Sequence, residues 1–240
     1  MTHALSVVIP VQNEEGNVAP LADALHRTLA AAGIADYEVL FVDDGSTDGT
    51  ARAVKVEIGR DRRVRLVSLA RNSGQTAAID AGFSRARGDV IVVMDGDLQN
   101  DPADIPVLLA EIGRYDCVCG YRHARGEGDG LVRIVSSRVA NAVRTAVLGD
   151  PVRDSGCGFR AVRREALAGI KLYRGMHRFL PTLLRLEGRT VAEVPVGNRP
   201  RRSGRSKYGV WNRAFAALYD LVAVRWMRSH ALRWEVVEEA

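Results

Sequence analysis

The chain has 240 residues, 47% of them apolar, and a net charge of +5. That is enough to bury one α/β core, and the basic balance favours anionic partners without identifying one. Three Cys exclude a disulfide framework, no uncharged apolar run approaches the ~20 residues that span a bilayer, and Met1 to Ser6 lack the features of a secretion signal, so the expectation is a cytoplasmic protein.

Leu5 to Val11 (LSVVIPV) reads as a short apolar strand stopped by Pro10, followed by a polar loop from Gln12. Asn17 is expected to cap a helix running to about Ala32, with Leu21, Leu25 and Leu29 on one face and Gly33 as its stop. Tyr37 to Val42 is a second strand ending in Asp43-Asp44, and Arg52 to Ile58 a helix. Val64 to Leu69 is a third strand, and a helix after Gln75 runs to Ala86, closed by Gly88.

Val90 to Gln99 (VIVVMDGDLQ) is too short for a solitary helix and too apolar for a surface strand. It reads as a strand buried on both faces and ending in Asp95-Gly96-Asp97. Two carboxylates one Gly apart repel each other unless a cation sits there, and oxygen ligands suit Mg²⁺ or Mn²⁺. Acids that merely cap a turn are the alternative. Asp101 as N-cap with Pro102 starts a further helix ending near Gly113, and Asp116 to Gly120 is a fifth strand. Within it Cys117 and Cys119 are read as pointing to opposite faces, a poor metal pair and two small buried hydrophobes.

Strands alternating with helices require right-handed crossovers and a mainly parallel sheet, whose ligand site lies beyond the carboxyl ends of the strands. Pro10 to Glu14, Asp43 to Asp48, Arg71 to Gln75 and Asp95 to Gln99 therefore share one rim. No G-x-G-x-x-G follows the first strand and no G-x-x-x-x-G-K-[ST] occurs, which argues against a dinucleotide dehydrogenase or a P-loop NTPase. The run from Asp44 to Gly49 mimics an EF-hand start, but Lys55 stands where the closing Glu belongs. The strand-end acids would repel a nucleic acid. They favour a nucleotide whose diphosphate is held through a metal.

VIPVQNEE (Val8 to Glu15), VDDGSTDGT (Val42 to Thr50) and MDGDLQ (Met94 to Gln99) together resemble the inverting GT-A glycosyltransferases of family 2. NSGQTAAI (Asn72 to Ile79) and the D-L-Q narrow the resemblance to the polyprenyl-phosphate branch typified by dolichyl-phosphate mannose synthases. It runs from Leu5 to about Tyr208. It implies a GT-A (nucleotide-diphospho-sugar transferase) fold. It also implies that Pro10, Val11 and Glu14 line the nucleotide pocket, with Asp44 on the base or ribose and Gln75 nearby. Asp95, Gly96 and Asp97 flank the diphosphate, and Asp97 with Gln99 holds the metal. Gly96 stands where relatives often carry Ala, a change read as harmless, and Gln12 where Tyr is common.

The second half implies the acceptor side. Leu131 to Leu148 reads as an amphipathic helix, with Arg138 and Arg144 assigned to a solvated face. By resemblance, Arg122 and Arg133 bind phosphate, and the segment Asp154 to Arg160 (DSGCGFR) lies beside the reacting centre. Met176 to Glu187 reads as a helix closing over the acceptor. In the basic window from Arg199 to Tyr208 the resemblance implies that Arg201 and Lys207 grip phosphates of donor or acceptor, and Asn198 replaces a His common in relatives. Residues 1–207 form the catalytic domain. Residues 208–240 add an amphipathic helix, with Trp211, Phe215, Leu218, Val222 and Trp226 at helical spacing, for a membrane surface or a homo-oligomer.

A lipid phosphate monoester with a second pKa near ~6 is already largely anionic at neutral pH, so transfer to it requires no strong general base. The five His lie away from the motifs, in keeping with that. The expected reaction is a direct displacement that moves a hexose from a UDP-glucose or GDP-mannose type donor to a polyprenyl phosphate at the cytoplasmic membrane face. A saccharide or other hydroxyl acceptor is the alternative; it needs a carboxylate base, for which Asp154 is the candidate.

Overall fold

The computed structural model describes residues 5–122, 141–150, 152–154, 156–197, 199 and 210–231, with the side chains of 210–217 excepted. Seven strands form one sheet in the order β3-β2-β1-β4-β6-β5-β7. The strands are β1 Leu5–Val11, β2 Tyr37–Asp43, β3 Val64–Ser68, β4 Val90–Val93, β5 Cys117–Arg122, β6 Arg160–Arg163 and β7 Val191–Val196. β6 alone runs antiparallel, wedged between β4 (Val93 opposite Arg160) and β5 (Cys119 opposite Arg160).

The β-branched runs of β1, β2 and β4 are buried on both faces, as a central parallel sheet requires. On one face Val7, Ile9, Val39, Phe41 and Val92 pack with Leu21, Leu25 and Leu29 of α1 (Glu15–Ala31) and Ile105 and Leu108 of α4 (Ile105–Glu111). On the other, Val8, Leu40, Val42, Ile91 and Val93 meet Ala78 and Ile79 of α3 (Gln75–Arg85) and Leu180 and Leu184 of α6 (Leu180–Leu186). α2 is Thr50–Arg60. A third cluster joins Leu148 of α5 (residues 141–148 as described), Met176, Phe179 and Leu183 to Leu221 and Val224 of α7 (Val210–Ser229).

Several local expectations need correction. Asn17 is not the cap of α1: the helix begins at Glu15, and buried Asn17 instead donates its side-chain amide to Glu14 Oε2 at 2.6 Å. The helix expected from Asp101 is a 3-10 turn, Pro102–Asp104, capped by Asp101 Oδ1 on the Ala103 N–H at 3.0 Å, and then α4. The helix expected over 176–187 is likewise split, into a 3-10 turn Met176–Phe179 and α6. Pro181 is the cause: it has no N–H to give the His177 carbonyl, which accepts from the Leu180 N–H and from Arg160 Nη1 instead.

Cys117 and Cys119 share a face, because a strand repeats every two residues; both thiols are buried, with Sγ atoms 3.7 Å apart. Arg144 is not on a solvated face. It is 5% exposed, with Nη2 3.3 Å from Asp150 Oδ2 and 2.6 Å from Thr182 Oγ1, and Arg185 pairs with the other oxygen of Asp150. Arg138 lies outside the described residues.

Candidate active site

Six strands end at one rim and β6 starts there, so the loops after β1, β2, β3 and β4 meet the loop before β6. The first two loops are stitched together. The Asn13 N–H donates to Ser46 Oγ at 2.9 Å, Asn13 Oδ1 accepts from the Thr47 N–H at 2.8 Å, and the Glu14 N–H donates to Thr50 Oγ1 at 2.8 Å. Asp44, 5% exposed, gathers the third: its oxygens accept from the N–H groups of Ser73 (2.7 Å) and Gly74 (2.9 Å) at the start of α3. Negative charge is favoured at a helix start. Gly45 makes this approach possible, since a Cβ there would lie 2.5 Å from the Arg71 carbonyl carbon and the Asn72 nitrogen.

The acids after β4 sit at the middle of the rim. The Asp95 N–H donates to Asn100 Oδ1 at 3.1 Å, and Gln75 Nε2 donates to Asp95 Oδ1 at 2.8 Å. Gly158, just before β6, also lies close: a Cβ on it would lie 3.3 Å from both Asp95 oxygens. Asp97 is 7% exposed, and its Oδ1 accepts from the Gln99 N–H at 3.1 Å. Between them Leu98 holds φ 62°, a left-handed conformation costing an L residue about 1–3 kcal/mol, and this folds Gln99 back over Asp97. Gly96 packs closely on β1, for a Cβ there would come within 2.7 Å of Val11 Cγ1 and 3.3 Å of the Pro10 carbonyl oxygen. Pro10 and Val11 at the end of β1 thus pack directly behind the acidic turn.

On the other side Arg122, last residue of β5, and Asp154 form a two-pronged ion pair, Nε to Oδ2 at 2.6 Å and Nη2 to Oδ1 at 2.9 Å. Both Asp154 oxygens are therefore committed to a cation, which suits the carboxylate to fixing Arg122 and ill suits it to taking a proton. Burial pushes the neighbouring Cys157 thiol up to about 11, so it is no nucleophile at neutral pH. The basic segment begins at the acidic turn: the Arg199 N–H donates to the Gln99 carbonyl at 2.9 Å and its guanidinium pairs with Asp101. Arg133, Arg201, Lys207 and Asn198 lie outside the described residues, as do the side chains of Trp211 and Phe215.

Among the described residues no three His, Cys, Asp or Glu side chains converge on a point that could hold a metal. Asp95 and Asp97, two carboxylates at one turn, fit an ion that draws its remaining ligands from a bound diphosphate, as Mg²⁺ commonly does. They do not fit an ion caged by protein alone.

Sequence reasoning passed over Asn100 and His177, and gave Thr76, Gly158 and Arg160 no role of their own within the segments that contain them. Asn100 follows the motif directly and was in reach as an Asx side chain near a turn. His177 is distant in sequence from every motif, yet its Nδ1 lies 2.7 Å from Thr76 Oγ1, next to Gln75. Burial, with help from Arg160 and Arg178, holds its pKa down at about 3, so the ring is neutral.

The solved structures that match are of the same architecture. Glucosyl-3-phosphoglycerate synthase from Mycobacterium tuberculosis, in complex with Mn²⁺, uridine diphosphate and phosphoglyceric acid, superposes with a TM-score of 0.70 at 22% identity, covering 96% of this chain and 80% of that one. Among curated proteins, the dodecaprenyl-phosphate galacturonate synthase of Rhizobium johnstonii is 38% identical over 238 residues, 95% of this chain and 68% of that protein. The undecaprenyl-phosphate 4-deoxy-4-formamido-L-arabinose transferases of Klebsiella pneumoniae and Pseudomonas fluorescens are 38% and 37% identical, covering 91% and 92% of this chain. The chain spans only 66% and 64% of the length of those two relatives. The family model for glycosyl transferase family 2 matches residues 6–170, from β1 through the acidic turn and β6. On its rim geometry, its fold and these likenesses together, the chain belongs to glycosyl transferase family 2.

Proposed function

We propose that the chain is an inverting glycosyltransferase that moves a sugar from a nucleotide diphosphate donor to a polyprenyl phosphate. One observation carries this most: the acid turn at Asp95–Gln99 faces, across the start of β6, an arginine, Arg122, held in a two-pronged pair with Asp154. Acids toward a metal-bound diphosphate and a cation toward an anionic acceptor are the two halves such a transfer needs. The curated relatives, named for transfer to dodecaprenyl or undecaprenyl phosphate, support the acceptor class.

Asp97 and Gln99, with Asp95 beside them, would hold the divalent ion, which supplies charge neutralisation for the departing diphosphate. The protein's own part is placement. Asp44 ties the nucleotide-side loops together, Gln75 and Asn100 orient Asp95, and Arg122 meets the acceptor phosphate. That phosphate, with a second pKa near ~6, needs no proton removed. Attack in line with the leaving diphosphate turns the anomeric centre over. Residues 1–207 would carry this chemistry and α7 would sit at the membrane, where exposed Leu218, Tyr219, Val222 and Trp226 are flanked by Arg225 and Arg228. Among the described residues no helix is long and apolar enough to cross a membrane.

The test is transfer of radiolabel from a panel of UDP- and GDP-sugars into a membrane lipid extract in the presence of Mg²⁺ or Mn²⁺. Label should enter the organic phase, and Asp97→Ala should abolish it. Label confined to a water-soluble product sinks the proposal.

A further inference from the structure

Asp95 stands in a closed ring of contacts. Gln75 Nε2 reaches it at 2.8 Å from the first residue of α3. The next residue, Thr76, is 6% exposed; its Oγ1 accepts from the Gly175 N–H at 3.0 Å and lies 2.7 Å from His177 Nδ1. The ring then continues through the backbone. The His177 carbonyl accepts from Arg160 Nη1 at 3.0 Å. Arg160, 4% exposed, also donates to the carbonyls of Cys157 (3.0 Å) and Gly158 (3.2 Å). Gly158 lies close against Asp95, so that a Cβ on it would come within 3.3 Å of both carboxylate oxygens.

We infer that Thr76 and His177 are positioning residues, which hold Gln75 and the Gly158 loop so that the Asp95 carboxylate keeps one orientation through the transfer. The inference rests on the transferase reading above.

The chemistry of the pair fits that role. A neutral imidazole has one acceptor nitrogen. With the Thr76 oxygen already taking the Gly175 N–H, the arrangement that satisfies both groups is the Thr76 hydroxyl donating to Nδ1, with the proton of the ring on Nε2. A protonated His177 would have no acceptor nitrogen for that hydroxyl. Burial, together with the Arg160 and Arg178 cations, keeps the ring neutral. The same turn is tied to α7. Gly175 has φ +86° and would bring a Cβ within 2.3 Å of Asp220 Oδ2, while Arg178 Nη2 lies 3.5 Å from the same oxygen. The hydroxyl–imidazole bond is thus the joint between α3, the β6 loop and α7.

Thr76→Val keeps the shape of the side chain and removes the hydroxyl; Thr76→Ser restores it. His177→Asn places an amide atom where Nδ1 was, and His177→Leu does not. Two readouts are taken on the full chain: steady-state transfer from a nucleotide sugar to polyprenyl phosphate, and the Gln75 side-chain amide signals in ¹⁵N spectra, which need no substrate. Thr76→Val and His177→Leu should displace the Gln75 signals and lower kcat about tenfold, with the KM for lipid within about twofold, as expected when a reacting group is misplaced and not removed. Thr76→Ser and His177→Asn should return both readouts toward wild type. Unchanged Gln75 signals in Thr76→Val overturn the inference. So do equal losses in the Val and Ser variants, or displaced signals with kcat intact. Absence of turnover in the wild-type chain counts against the transferase reading alone, because the Gln75 signals still decide the ring.

Discussion

Arg122 and Asp154 meet as two parallel forks, 2.6 and 2.9 Å apart, at the junction of β5 and the loop that leads into β6. With its charge neutralised in this way the carboxylate serves as an anchor. Asp154→Asn should therefore weaken acceptor binding, raising the lipid KM about tenfold, without introducing a new limb in the pH profile of kcat between pH 6 and 8.5. Asp154→Ala should also destabilise the fold by about 1.5–3 kcal/mol, since it removes both charge-assisted hydrogen bonds of the pair. Steady-state kinetics over that pH range and urea titration check both. A pH limb in the wild type that disappears in Asp154→Asn would make Asp154 a base and return the hydroxyl-acceptor reading.

Gly96 and Val11 form a steric pair, with no room for a methyl group between them. Gly96→Ala should cost about 1–3 kcal/mol of stability through overpacking. Val11→Ala made in the same chain should recover most of it, a coupling a double-mutant cycle in urea measures directly. Additive losses would show that the turn yields on its own.

His177 gives a signed pH dependence. Its folded pKa, about 3, lies below the ordinary 6.5, so between those values the unfolded chain binds a proton that the folded chain refuses. The stabilising contribution is complete above pH 6.5 and is lost as pH falls toward 3, at up to about 1.4 kcal/mol per pH unit. The slope of unfolding free energy against pH over pH 4–6 should be shallower in His177→Asn than in wild type. Equal slopes would place the ring in water.

The outer face of α7 offers a test of the membrane reading. Leu218, Val222 and Trp226 are 54%, 61% and 60% exposed, while Leu221 and Val224 on the inner face are buried. Leu218→Glu with Trp226→Glu should leave the melting temperature within a degree or two of wild type, because exposed positions contribute little to stability. The same pair should abolish sedimentation with vesicles containing anionic lipid. Retained vesicle binding would move the contact elsewhere.

How far the sequence reaches depends on how local the cause is. β1, β2 and β4 are legible because a strand buried on both faces is written as an unbroken apolar run, and their acids are legible because they end those runs. β6 and β7 are not. Arg160–Arg163 has charged residues at both ends, and Val191–Val196 contains Glu193 and Pro195. Their place in the sheet is decided by neighbours far along the chain. Arg144 shows the same limit: helical spacing put it with solvated arginines, and only Asp150, Thr182 and Phe179, brought in by the fold, account for its burial. His177 carries no local sign of its partner, which lies 101 residues away. The general cause is that periodicity reports a residue's own element, while a positioning contact belongs to two.

The reversed strand has a consequence for how the protein assembles. β1 pairs with β2 from 32 residues away, but its pairing with β4 spans 85 residues, and the space beside β4 is filled by a strand that begins 67 residues after β4 ends, counting from Val93 to Arg160. Pairings of such separation carry a high loop-closure cost. Without β6 between β4 and β5, Asp95 has Gln75 but nothing from the Gly158 loop. A chain lacking β6 would thus present the acidic motif without its wall, and competence for donor chemistry would require β6 in place.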